Sequence, residues 1–141
     1  MGLVKAKLTY TEGLQFVGQA GSGHAIVLDG DSVVGGQNSG LRPMELLLIG
    51  LGGCSGMDVV SILRKKKEKL TALEIDVRGR KAEEYPQKYT DVDIEFVVRG
   101  KNLSEDAVRR AIQLSMDKYC SVKATLEGTA VIKFNYRIIE E

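Results

Sequence analysis

The chain has 141 residues, enough for one domain and short for two ordinary ones. Hydrophobic residues make up 43% and charged residues 28%, a globular rather than a disordered balance. Twenty Lys plus Arg against nineteen Asp plus Glu leave a net charge of +1, which argues against a nucleic-acid binder with its usual basic excess.

Val4, Ala6, Leu8 and Tyr10 alternate with Lys5, Lys7 and Thr9, the period-2 pattern of a half-buried strand. Leu14 and Phe16, then Ile26 and Leu28, extend the pattern between glycine-rich turns, and Asp29-Gly30 reads as a hairpin turn. The first third is therefore expected to be an antiparallel β-meander. A Gly-rich loop over residues 35–40 leads to Arg42-Pro43, and the segment from Met44 to Leu63 turns helical. Pro43 suits a first helical turn, Glu45 the positive end of the helix dipole, and the basic run at Arg64–Lys67 its negative end.

This helix is apolar nearly all round, so every face requires a cover. A membrane span is the rival, but the apolar stretch from Met44 to Met57 is short for one and is followed by Asp58. Gly50, Gly52, Gly53 and Gly56 each cost about 1 kcal/mol relative to alanine in a helix interior. Their presence points to close approach by another backbone, and a long central helix buried at a dimer interface is expected.

Leu73, Ile75 and Val77, then Val92, Ile94, Phe96 and Val98, alternate with charged residues as two strands joined by a turn at Glu83–Pro86. Ser104 is placed to cap a second helix with Glu105 and Asp106 in its first turn. Val108, Ala111, Ile112, Ser115 and Tyr119 fall on one face of it. Ile132, Phe134, Tyr136 and Ile138 define a closing strand. About six strands and two inserted helices make a single α+β domain over residues 1–141.

Chemistry is limited by the inventory. One histidine, His24, excludes sites that need two imidazoles, and two distant cysteines exclude CxxC chemistry. Gly52-Gly53-Cys54-Ser55-Gly56 has the shape of a nucleophile elbow, but His24 precedes the cysteine and no apolar strand leads into it. Cys54, inside the glycine-rich helix, and Cys120, just past the second helix, remain. They are either two buried small hydrophobes or a peroxidatic and a resolving thiol. Cys54 lies too far into its helix for the dipole to acidify it, so a cation such as Arg42 or Lys123 is needed. Asp58, one turn on, opposes a thiolate if it is close and ionised; a hydrogen-bond partner or interface ion pair is the expected role for it.

Pro43-Met44-Glu45-Leu46-Leu47-Leu48, Gly52-Gly53-Cys54 and Tyr119-Cys120-Ser121-Val122 together resemble the OsmC/Ohr family of organic hydroperoxide reductases, along the whole chain. That resemblance implies an OsmC-like fold in an intertwined homodimer with its sites at the subunit interface. It also implies reduction of organic hydroperoxides to alcohols, reset by an external dithiol, with no metal or organic cofactor. Cys54 carries over as the peroxidatic thiol and Cys120 as the resolving one.

The family's usual glutamate position, ten residues before the first cysteine, holds Met44 here, and no arginine precedes Arg42. Either Arg42 and Glu45 supply the charge pair by a changed geometry, with Arg42 holding Cys54 as thiolate, or the pair is absent. The opening MGLVKAKLTY has no apolar signal core, so a cytoplasmic protein is expected, and with the near-neutral charge neither membrane nor nucleic acid is expected as partner. The competing expectation is a non-enzymatic dimer of the same fold that binds an apolar ligand or senses redox state.

Overall fold

The structure, a computed structural model, describes residues 2–141. It is α+β, with two three-stranded sheets and three α-helices among the described residues. Its contacts divide it into two compact units, one ending at Leu47 and the other spanning Leu48–Glu141.

In the first unit β1 (Ala6–Glu12), β2 (Gln15–Ala20) and β3 (Ala25–Leu28) form the expected antiparallel meander. Gly13, at φ 56°, turns the chain between β1 and β2, where the left-handed region suits a residue without Cβ. Asp29-Gly30 is not a hairpin turn. It lies after β3, and the Asp29 carboxylate gathers the next loop by accepting from the N–H groups of Gly30, Gln37 and Ser39 and from Ser39 Oγ.

The helix α1 (Pro43–Lys65) begins at the proline that the sequence marked. It ends in a Schellman motif: Glu68 N–H donates to Leu63 C=O, Lys67 N–H donates to Arg64 C=O, and Lys67 takes φ 58°. Leu51, Gly52, Ser55, Gly56, Val59 and Leu63 are buried, but Ile49 is 54% and Met57 75% exposed, so one chain does not cover the helix all round.

The glycines divide in the same way. A Cβ on Gly56 would stand 2.7 Å from Ile75 Cδ1, and one on Gly52 3.1 Å from Val77 Cγ2. The sheet of the same unit therefore accounts for these two, through side chains rather than a second backbone. A Cβ on Gly50 or Gly53 would meet nothing within 4 Å. By length and hydropathy α1 is also able to cross a membrane, a test that core helices of soluble proteins pass as well.

The second sheet runs β4 (Lys69–Lys81), β5 (Tyr89–Lys101), β6 (Val131–Glu140), with β4 antiparallel and β6 parallel to β5. A parallel neighbour needs a crossover. Here the crossover carries α2 (Glu105–Leu114), a π turn over Ser115–Tyr119 and α3 (Ser121–Leu126). Ser104 caps α2 as expected, its hydroxyl accepting from Ala107 N–H. The helix α3 was not anticipated: six residues carry no amphipathic repeat to read.

The core of this unit joins Leu51, Val59 and Leu63 of α1 to Ile94, Phe96 and Val98 of β5 and to Val108, Ala111 and Ile112 of α2. Alternate residues of the sheet, among them Asp76, Arg78, Asp93 and Lys133, line a charged outer face.

Candidate functional site

On α1, Cys54 and Asp58 stand one turn apart and share a face. Cys120 reaches the same place from the crossover. It sits where the π turn ends and α3 begins, its N–H donating to Ser115 C=O at 2.8 Å and its sulfur accepting from Lys123 N–H at 3.4 Å. The two sulfurs and an Asp58 carboxylate oxygen all lie within 4.8 Å of one another. Both cysteines are free thiols; Cys54 is half-buried and Cys120 is only 4% exposed.

A buried hydroxyl holds this cluster. Ser115 Oγ donates to Asp58 Oδ2 at 2.8 Å and lies 3.5 Å from Ser55 C=O, which joins the π turn to α1. The neighbouring Ser55 hydroxyl turns back on its own helix, donating to Leu51 C=O, which leaves it no part in an elbow-type site. The π turn explains a second correction. An extra residue in the turn rotates the positions after it, so Ser115 stays on the apolar face of α2 while Tyr119, expected there too, is 50% exposed.

Burial pushes the Cys120 thiol up to about 11, and the adjacent Cys54 sulfur and Asp58 carboxylate push it the same way against the opposing Lys123 N–H. Cys120 is therefore a protonated thiol at neutral pH. The two cations expected to act on Cys54 have other engagements. Lys123 contributes its backbone N–H to Cys120, while its ammonium pairs with Glu127 at 2.8 Å. The Arg42 guanidinium donates to Gly40 C=O and Asn38 Oδ1 and lies 3.8 Å from Asp31.

Glu45 does meet Arg42, but through the backbone: its carboxylate accepts from Arg42 N–H at 2.8 Å, closing the first turn of α1. The residue that sequence reasoning missed is Ser115. Its signal was present, a hydroxyl on an otherwise apolar helix face, where a buried polar group needs a partner.

The family described as OsmC-like protein matches residues 36–135, more than half of the sequence. The chain belongs to that family. Protein YhfA of Escherichia coli K12 is 38% identical over 136 residues, covering 96% of this chain and 98% of that one. Among solved structures of the OsmC-like fold, a hypothetical protein from Aquifex aeolicus VF5 superposes with a TM-score of 0.88 at 31% identity, covering 100% and 99% of the two chains. An organic hydroperoxide resistance protein OsmC from Legionella pneumophila superposes with a TM-score of 0.69 over 96% and 97%; at 12% identity it shares the fold alone.

Proposed function

We propose that this OsmC-like protein is a cytoplasmic, homodimeric thiol peroxidase that reduces organic hydroperoxides to alcohols. The observation that carries the reading is the meeting of Cys54 and Cys120, which are 66 positions apart in sequence (120 minus 54), with sulfurs within 4.8 Å.

In the proposed cycle the Cys54 thiolate attacks the peroxide oxygen, the O–O bond breaks, and the alcohol leaves after taking a proton. Cys54 is left as sulfenic acid. The Cys120 sulfur then attacks it, giving up its proton as hydroxide departs, so that water leaves and a disulfide forms. An external dithiol returns both thiols, and the cycle uses no metal or organic cofactor. Half-exposed Cys54 suits the attacking role. Cys120, its sulfur beside that of Cys54, is placed for the resolving one, and it has to give up its proton in that step. Arg42 and Glu45 stand off the family's usual charge positions, and the proposal assigns them the polarising and positioning of charge as this chain's substitute pair. The leucine-rich α1 favours bulky apolar hydroperoxides over hydrogen peroxide.

One observation favours a second reading, a non-enzymatic dimer that binds an apolar ligand or senses redox state. The Arg42 guanidinium and the Glu45 carboxylate are both engaged in local loop and helix-end contacts.

Turnover of cumene hydroperoxide with a dithiol reductant separates the two. The peroxidase reading expects turnover that exceeds that of hydrogen peroxide and is abolished by Cys54→Ser. It expects Cys120→Ser to retain a single turnover that ends in a trappable sulfenic acid. Unchanged rates in Cys54→Ser, or no turnover in the parent protein, would leave the second reading.

A further inference from the structure

Two sulfurs and a carboxylate oxygen within 4.8 Å of one another form a donor set as well as a redox pair. A tetrahedral zinc ion binds thiolate sulfur at about 2.3 Å and carboxylate oxygen at about 2.0–2.2 Å, so its ligand atoms stand roughly 3.5–4 Å apart. The 4.8 Å limit on the three donor atoms stands close to that spacing. Their origins suit a metal centre: Cys54 and Asp58 project from one helix at i and i+4, and Cys120 faces them from a separate turn.

The outer contacts fit as well. Ser115 Oγ donates to one carboxylate oxygen of Asp58, which orients the group and leaves the other oxygen for a cation. Lys123 N–H points at the Cys120 sulfur, a contact that a thiolate accepts more strongly than a thiol. Cys54 and Asp58 are only half-buried, so an ion has a way in. Two soft sulfurs with one oxygen favour zinc or cadmium over magnesium or calcium, which take oxygen ligands.

We propose that the reduced protein binds one zinc ion per chain through Cys54 Sγ, Cys120 Sγ and an Asp58 carboxylate oxygen, and that oxidation of the two thiols releases it. The fourth position is open to water. Binding displaces the two thiol protons. The release step rests on the peroxidase reading. In it the two zinc-bound thiolates give two electrons to the hydroperoxide and join as a disulfide. The O–O bond breaks, and the alkoxide and hydroxide so formed each take one proton from solvent and leave as alcohol and water. The zinc ion departs because a disulfide is a poor ligand. The ion thus guards the dithiol at rest and is not part of the turnover cycle.

The test is a titration of the reduced full-length protein with zinc by calorimetry, with cobalt as spectroscopic probe and no peroxide present. The expected result is one ion per chain, release of close to two protons, and sulfur-to-cobalt charge-transfer absorption that falls in Cys54→Ser and in Cys120→Ser. Asp58→Asn, which keeps both thiols and nearly the same volume, weakens binding. Ser115→Ala weakens it by about 10- to 100-fold, the usual effect of removing a group that orients a ligand. One equivalent of cumene hydroperoxide then liberates the zinc to a chromophoric chelator.

Absence of binding, or binding undiminished in both cysteine variants, overturns the metal site whatever the peroxidase assays show. Zinc that stays bound after hydroperoxide is added overturns the release step, a metal-free reduced protein that does not react overturns the peroxidase reading, and either result leaves the metal site standing.

Discussion

Asp29 is 3% exposed, and its carboxylate accepts three backbone N–H bonds and the Ser39 hydroxyl. The Ser39 hydroxyl is the main cause that lowers its pKa from 3.8 to about 2; desolvation opposes, and the three N–H groups assist. A carboxylate with a folded value below its unfolded one adds stability above the unfolded value and loses it as pH falls through the folded value. Acid should therefore loosen the loop over residues 30–40 progressively between about pH 4 and pH 2. Asp29→Asn removes the charge and turns an amide donor toward other donors, so it should lower the melting temperature at pH 7 and flatten the pH dependence below 4. Melting curves of both proteins across that range check this, and parallel curves would contradict it. Sequence reasoning could place Asp29 only beside a glycine. Its four donors come from as far as Ser39 and assemble only when the loop folds back.

At the scale of elements, α1 closes with a lysine where glycine is the usual residue. Lys67 at φ 58° occupies the left-handed region, which is costly for a residue with a Cβ. Lys67→Gly should stabilise the protein by about 0.5–1 kcal/mol, less than the full conformational cost because glycine also gains freedom in the unfolded chain. Urea denaturation measures it, and a lower midpoint would contradict the capping assignment. Elements with a long repeat were legible: the strands β1, β4, β5 and β6, the proline start of α1 and the Ser104 cap all stand where the sequence put them, but β1, expected to be half-buried, is exposed at every residue in the single chain. Segments without a repeat were not legible. The helix α3 is a turn and a half, the π turn shifts the register by one residue, and the parallel pairing of β5 with β6 depends on a crossover rather than on local pattern. Within the site, both cysteines could be named from sequence. The Ser115–Asp58 bond, spanning 57 positions, belongs to the packing of α2 and its π turn against α1.

For the molecule as a whole, the uncovered stripe of α1 is the feature to account for. Ile49, Gly53 and Met57 recur every four residues on the exposed side, and a single chain leaves them in water. The proposed dimer covers them. Met57→Lys places a charge in that stripe and should convert dimer to monomer in sedimentation at micromolar concentration; a sedimentation profile unchanged from the parent dimer would remove Met57 from the interface. The site does not depend on that outcome for its central feature, since Cys54, Asp58, Ser115 and Cys120 all belong to the unit Leu48–Glu141 of one chain. The most direct measurement is the intact mass of the reduced protein after one equivalent of an organic hydroperoxide, with peptide mapping of the cysteines. The proposed cycle predicts rapid loss of two hydrogens with a Cys54–Cys120 bridge. An unchanged mass, or oxygen added at Cys54 with Cys120 still a free thiol, would contradict it.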